Sequence, residues 1–162
     1  MIAEFQATQQ TQLIDFVLGI QNDEFGLGFE KDEQPDLIDT AKFYNGGGFW
    51  IAQINDEIVG CIGLQRLNSE SGILRKMFVK KELRGSELKI AQNLFEHLVD
   101  NAIRLGFKNI YLDTPSVAKA SHRFYQRNKF VELSQERIPE GYRYPDRNSK
   151  IFHLKLSDRA DL

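Results

Sequence analysis

Between residues 75 and 84 five cations, Arg75, Lys76, Lys80, Lys81 and Arg84, stand against one anion, Glu82. That local excess suits a polyphosphate. The surrounding pattern points the same way. Met77, Phe78 and Val79 read as a strand between charged neighbours, the chain turns at Arg84-Gly85-Ser86, and a long amphipathic helix follows. A strand, a tight turn with glycine and a helix start aim backbone N–H groups at an anion. The same residues also read as an ordinary strand-to-helix turn with a solvated charge run.

A second chemical group is the phenol of Tyr125, within Arg123-Phe124-Tyr125-Gln126-Arg127-Asn128-Lys129-Phe130. A phenol can act as a general acid. Tyr125 reads equally as a half-buried aromatic packed beside Phe124 and Phe130. Metal chemistry has no foothold: His97, His122 and His153 are far apart, with no ligand pair at helical spacing and no cysteine partner. No Gly-x-Ser-x-Gly, P-loop lysine or paired-carboxylate signature is present. Gly46-Gly47-Gly48 precedes a strand and not a helix, so it lacks phosphate geometry and reads as a flexible lead-in to the sheet. From residue 23 to 39 the chain is acidic, with Asp23, Glu24, Glu30, Asp32, Glu33, Asp36 and Asp39 against Lys31 alone. That run is either a solvated loop or a cation-attracting wall.

The elements that must carry these groups follow from periodicity. A short strand over residues 2–7 leads to a helix capped by Thr8, with Leu13, Phe16, Val17 and Ile20 on one face and an end near Gln21. Pro35 opens a second helix through Leu37, Ile38, Ala41 and Tyr44. Residues 49–54, 58–67 and 73–80 form an antiparallel meander, with a hairpin turn at Asn55-Asp56-Glu57. After Ser86 a helix places Ala91, Leu94, Phe95, Leu98, Ala102 and Leu105 on one face, and Gly106 stops it. A buried strand over 107–112 closes a right-handed crossover, so residues 77–79 and 110–112 are expected to run parallel. A helix over 116–128 and strands over 130–133 and 151–156 complete the chain. The loop 137–150 carries Tyr142, Arg143 and Tyr144.

Leu74-Arg75-Lys76-Met77-Phe78-Val79, then Arg84-Gly85, then the helix, strand and helix ending in Arg123–Phe130, resembles the GNAT superfamily of N-acetyltransferases, in particular its small, uncharacterised bacterial branch. The likeness runs over residues 49–130. It implies an α/β (α+β) fold, a mixed central sheet of about seven strands flanked by four helices, with acetyl-CoA as co-substrate in the cleft between the parallel strands. By that likeness Phe78 and Val79 offer backbone groups to the pantetheine arm. Arg84, Gly85, Ser86, Lys89, Ile90 and Ala91 wrap the pyrophosphate, Thr114 and Phe124 complete the cofactor site, and Tyr125 is the general acid. The Val79 N–H is the oxyanion donor. Glu24, Phe25 and Tyr142 are the residues expected at the acceptor mouth. Three departures stand out. Lys89 and Lys129 occupy places where relatives have glycine, and Ala118 takes the place of an asparagine after the fifth strand. No base is visible where many relatives carry a glutamate, at Gly72 or Ile73; Glu24, Asp113 or Glu132 acting through water are the candidates.

The implied reaction moves the acetyl group of acetyl-CoA to a primary amine of a small molecule, amino acid or peptide by direct attack in a ternary complex. The amine must first be neutral, since a lysine-like amine with a pKa of about 10.4 is mostly protonated at pH 7. The acidic run favours a cationic acceptor, while Arg143 would pair a carboxylate and favour an amino acid. The missing glycines and base keep a second reading open, a non-catalytic acyl-CoA-binding or regulatory protein of the same fold. The other bounds agree with either reading. One domain over 1–162 is expected from the length. A net charge of −2 does not suggest a nucleic-acid partner. Cys61 is expected to be a buried structural thiol with no disulfide partner. No leader pattern or membrane-length apolar run is seen, so a cytoplasmic location without membrane or metal is the expectation. A homodimer is left open.

Overall fold

In the computed structural model, described here for residues 1–85, 87–143 and 148–157, seven strands form one sheet in the order β1-β2-β3-β4-β5-β7-β6. β1 (Ile2–Glu4), β2 (Gly48–Ile54), β3 (Glu57–Arg66) and β4 (Ser71–Val79) are antiparallel neighbours. Asn55 and Asp56, both at positive φ (51° and 64°), make the two-residue β2–β3 hairpin. These residue types tolerate that conformation and its twist matches the strands. β4 and β5 (Asn109–Pro115) are parallel, and β7 (Ser149–Lys155) runs antiparallel between β5 and β6 (Val131–Leu133).

α1 (Gln10–Leu18), α2 (Pro35–Ile38) and α3 (Thr40–Phe43) cover one face of the sheet. α4 (Ile90–Arg104) and α5 (Lys119–Arg127) cover the other. The core on the α4 face joins Ile90, Leu94, Phe95, Leu98, Val99 and Ala102 to Trp50, Ile62, Leu64, Leu112 and Phe152. A smaller core on the α1 face joins Leu13, Val17, Leu37 and Tyr44 to Phe49, Ile51 and Cys61. Cys61 is fully buried as expected, and burial pushes its thiol pKa up.

Several expectations are corrected. The second expected helix is two short ones, because it breaks at Asp39, whose carboxylate caps α3 by accepting from the Lys42 N–H at 3.2 Å. The first helix is not capped by Thr8: a 3-10 turn, Ala7–Gln9, precedes it, and the Gln9 side chain accepts the Gln6 N–H at 2.9 Å. Gly47 is not flexible packing. A Cβ there would lie 1.9 Å from the Leu64 carbonyl oxygen, so the backbone passes too close for any side chain. The helix after the basic turn starts at Ile90, four residues past Ser86, and Leu105 ends up half exposed beyond it.

Candidate active site

The parallel strands separate. β4 and β5 pair only at Ser71↔Asn109, Gly72↔Ile110 and Ile73↔Tyr111. The parallel pairing expected at residues 77–79 is therefore absent, and the reason is a bulge. Lys76 sits at φ 53°, and the β3–β4 register shifts between Cys61 and Gly63. The bulge turns the end of β4 away while β5 stays paired with β7 as far as Pro115↔Ser149. A cleft opens between Val79 on one side and residues 112–115 on the other.

Which backbone groups face this cleft follows from the ladder. The Lys80 N–H donates to the Val59 carbonyl at 2.8 Å, so the adjacent pair Gly60↔Val79 is the non-hydrogen-bonded kind. The N–H and C=O of Val79 point away from β3, toward the gap. Phe78 is one residue off, so its backbone faces β3 and its ring packs against the α1-face core. Of the two residues expected to offer backbone groups, the geometry supports Val79 and not Phe78.

The turn beyond β4 is built from one 3-10 turn, Lys81–Leu83, then Arg84 and Gly85 at φ 66°. Lys89 is the residue before α4 and lies at φ 50°, ψ 46°. This left-handed conformation is the one glycine adopts freely. Lys129, at φ 77°, repeats the pattern after α5. Both lysines thus take a left-handed backbone open to glycine, and both side chains lie exposed. Ile90 is 1% exposed, so only its backbone is available, whereas Ala91 is half-buried. Ser86 and Tyr144 lie outside the described residues. Ala118 precedes α5 and offers no side-chain amide.

Arg84 is occupied. Its Nη1 and Nη2 donate to both Glu24 carboxylate oxygens at 2.5 and 2.7 Å, its Nε donates to the Val79 carbonyl at 2.8 Å, and Phe25 lies 5.7 Å from its Cζ. The Arg84 hydrogen bonds hold the Glu24 carboxyl below its ordinary pKa, opposed in part by burial. Glu24 and Phe25, expected at the acceptor mouth, therefore sit over the basic turn.

Tyr125 projects from α5 into the α4-face core, with ring contacts to Phe124 (5.7 Å), Phe130 (5.6 Å) and Phe152 (6.3 Å). Phe152 is the β7 partner of Leu112, which places Tyr125 beside the β5 edge of the cleft. Its hydroxyl makes no hydrogen bond to the described residues. Burial first, and the Asp113 charge second, push its pKa up to about 12. Such a phenol keeps its proton throughout the neutral range. Thr114 is buried on the same side, and Phe124 meets Phe95 edge-on at 6.0 Å.

The α1 face of the cleft is charged. Tyr142 is not an open acceptor contact: it is 7% exposed and donates its hydroxyl to Asp113 Oδ1 at 2.6 Å. Arg75, on β4, donates from Nε to Gln65 at 2.7 Å and from Nη2 to the Arg143 carbonyl at 3.2 Å. Its Nη1 lies 3.8 Å from Asp113 Oδ1. Next along, Asp36 accepts the Tyr44 hydroxyl at 2.7 Å and lies 3.3 Å from Lys76 Nζ. Asp36 is buried, so the acidic run is not a solvated loop there. Arg75 and Asp113 were detectable in principle, as charges at alternating positions of apolar strands. Of the other base candidates, Glu132 is exposed and faces Lys150 at 3.3 Å. Gly72 has no room for a carboxylate, since a Cβ would meet Leu64 Cδ1 at 2.6 Å. No group of three or more His, Cys, Asp or Glu among the described residues could hold a metal, and no described helix is long and apolar enough to cross a membrane.

Comparison with known proteins gives a consistent result. The model of the Acetyltransferase (GNAT) family matches residues 14–130. An uncharacterized N-acetyltransferase of Escherichia coli, YjgM, is 31% identical over 118 residues, covering 68% of this chain and 70% of that protein. A probable N-acetyltransferase of Xenopus tropicalis, camello, is 28% identical over 109 residues. That match covers 64% of this chain but only 49% of the relative, so the chain spans about half the length of that protein. The crystal structure of an acetyltransferase from Streptococcus agalactiae superposes with a TM-score of 0.88 at 32% identity, covering 96% of this chain and 97% of the other.

Proposed function

The chain belongs to the Acetyltransferase (GNAT) family and is an acyltransferase, and from that premise we propose that it transfers the acetyl group of acetyl-CoA to a primary amine, as one catalytic domain, with Tyr125 as general acid. The observation that carries this reading is the parting of β4 and β5 after Ile73 and Tyr111, which leaves the Val79 N–H without a strand partner among the described residues. The Val79 N–H is then free to receive the thioester oxygen as it gains charge, the position in which a preorganised donor contributes most. Arg84 exchanges Glu24 for a pyrophosphate oxygen, and the first turn of α4, with Gly85 and Lys89 ahead of it, adds N–H groups and the positive end of the helix dipole.

The proton balance decides what Tyr125 does. A neutral amine nitrogen forms the N–C bond, and the thioester oxygen becomes the oxyanion. The C–S bond then breaks, and the thiolate takes the Tyr125 proton. At about 12 the phenol is a weaker acid than an ordinary thiol at about 8.5, so this transfer is uphill alone. It is supported by the adduct nitrogen, cationic after attack, which gives a proton to water as the amide forms, while water returns one to the phenolate. From the neutral amine the net products are the N-acetyl amine and CoA thiol, and the one proton released overall is the one an ammonium acceptor loses before attack.

The glycine replacements, which kept a purely binding role open, lose their force because Lys89 and Lys129 hold the glycine conformation. Titration of acetyl-CoA by calorimetry, followed by thiol release with a panel of amines, tests the proposal. Binding weakened by Arg84→Ala and turnover with at least one amine are expected. No binding at millimolar acetyl-CoA would sink it.

A further inference from the structure

The α1 face of the cleft holds two charges that are fixed in place yet left incompletely paired. Arg75 is anchored by neutral partners, the Gln65 side chain and the Arg143 carbonyl. Among the described residues its Nη1 has only the 3.8 Å approach to Asp113, too long for a hydrogen bond. Asp113 is anchored through Oδ1 by the Tyr142 hydroxyl, and its Oδ2 has no partner among the described residues. The two side chains remain 22% and 16% exposed. One guanidinium nitrogen and one carboxylate oxygen, without a hydrogen bond among the described residues, therefore stand on neighbouring side chains where β4 and β5 part.

We propose that Arg75 and Asp113 read the acceptor as a zwitterion, so that the amine acetylated is the α-amino group of a free amino acid: Asp113 takes the ammonium and Arg75 takes the carboxylate. This rests on the acetyl-transfer reading above and narrows its acceptor. Three features support it. First, Arg75 and Asp113 lie at residues 75 and 113, two positions beyond the last β4–β5 pair at Ile73↔Tyr111, at the apex of the cleft. Second, they face away from the Tyr125 side. Ile73 and Tyr111 pack under Tyr142, whereas Leu74 and Leu112 belong to the α4-face core. A nucleophile entering from the Arg75 side meets the carbonyl from the face opposite the phenol. Third, the neighbouring carboxylate is spoken for: Asp36 is occupied by Tyr44 and Lys76. A simple cationic amine would satisfy Asp113 but leave Arg75 unpaired and repelling it, while a zwitterion satisfies both.

The experiment compares free L-amino acids with their amides and their decarboxylated amines as acceptors, by thiol release from acetyl-CoA. Calorimetric binding of the same compounds to the protein saturated with CoA is measured alongside. At least one free amino acid is expected to exceed its amide and amine by about tenfold or more in kcat/KM, the scale of a charged hydrogen bond. Arg75→Gln is expected to raise KM for that amino acid by about 10- to 100-fold, to weaken its binding to the CoA complex in parallel, and to erase the preference over the amide. Arg75→Lys, which keeps the charge, should recover part of the loss. Asp113→Asn should lower amino acid and amide alike. Acetyl-CoA titration into each variant reports whether the fold and the cofactor cleft survive. If amides or simple amines are the better acceptors in the wild type, or Arg75→Gln lowers every acceptor in proportion, the zwitterion reading falls and acetyl transfer stands. Acetyl-CoA that binds without turnover of any amine overturns both.

Discussion

The two faces of the cleft are built from different materials. On the α4 face Tyr125 is set among Phe124, Phe130 and Phe152, with Thr114 buried nearby. On the α1 face Arg75, Asp113, Asp36 and Lys76 line up along the strand ends, held by Gln65, Tyr44 and Tyr142. An apolar wall raises the pKa of the one group that must hold a proton. A polar wall orients charged groups without neutralising them. The difference matches the division of labour proposed above: proton delivery to the leaving sulfur on one side, capture of the incoming amine on the other.

The sharpest way to break that division is at the phenol. Tyr125→Phe keeps the ring packing and removes the hydroxyl. It is expected to lower kcat by about 10²- to 10⁴-fold while leaving acetyl-CoA affinity within about twofold, as read by steady-state kinetics and calorimetry. Loss of affinity with unchanged kcat would return Tyr125 to packing. Next is the wall behind it. Phe95 is fully buried and touches both Phe124 and Phe130, so Phe95→Ala should cost about 3–5 kcal/mol of stability in a urea unfolding curve. A loss below about 1 kcal/mol would show that this face is not a packed core.

The smaller effects probe the rim. If Glu24 competes with phosphate for Arg84, Glu24→Gln should tighten acetyl-CoA binding by up to about fivefold, since a part-exposed pair contributes roughly 0.2–1 kcal/mol. Weaker binding would mean that Glu24 positions Arg84 instead. The sign with pH is fixed by the lowered Glu24 pKa. The clasp is present above the ordinary carboxylate range and is lost as pH falls through the depressed value. Smallest is Lys129→Gly, which relieves a left-handed lysine at φ 77° and should raise stability by up to about 1 kcal/mol. A loss of stability in thermal unfolding would mean that the Lys129 side chain has contacts of its own.

The elements were legible where one periodicity ruled. The β2–β4 meander, the helix carrying Leu94, Phe95 and Leu98, and the parallel crossover all follow from apolar spacing. The Lys89 and Lys129 positions could be matched to glycines because order and spacing aligned them. What spacing does not encode is where two strands stop pairing. The bulge at Lys76 moved the β4–β5 seam six residues earlier than residues 77–79 suggested, and it set the facing of Val79 against Phe78. Partnerships across long separations were also hidden. Glu24 with Arg84, Arg75 with Asp113 and Asp36 with Lys76 each join segments far apart in the chain, so the acidic run read as a surface when two of its members, Glu24 and Asp36, were already paired.

The claim on which the rest depends is that the gap between β4 and β5 receives acetyl-CoA, with the Val79 backbone and the turn before α4 as its contacts. A titration of ¹⁵N-labelled protein with CoA, followed by backbone amide shifts, tests it most directly. The account predicts the largest changes at Val79, Gly85 and residues 89–91, with smaller ones at residues 114–125 and almost none along β1 and β2. Saturable binding whose largest shifts fall elsewhere, with Val79 unmoved, would contradict it.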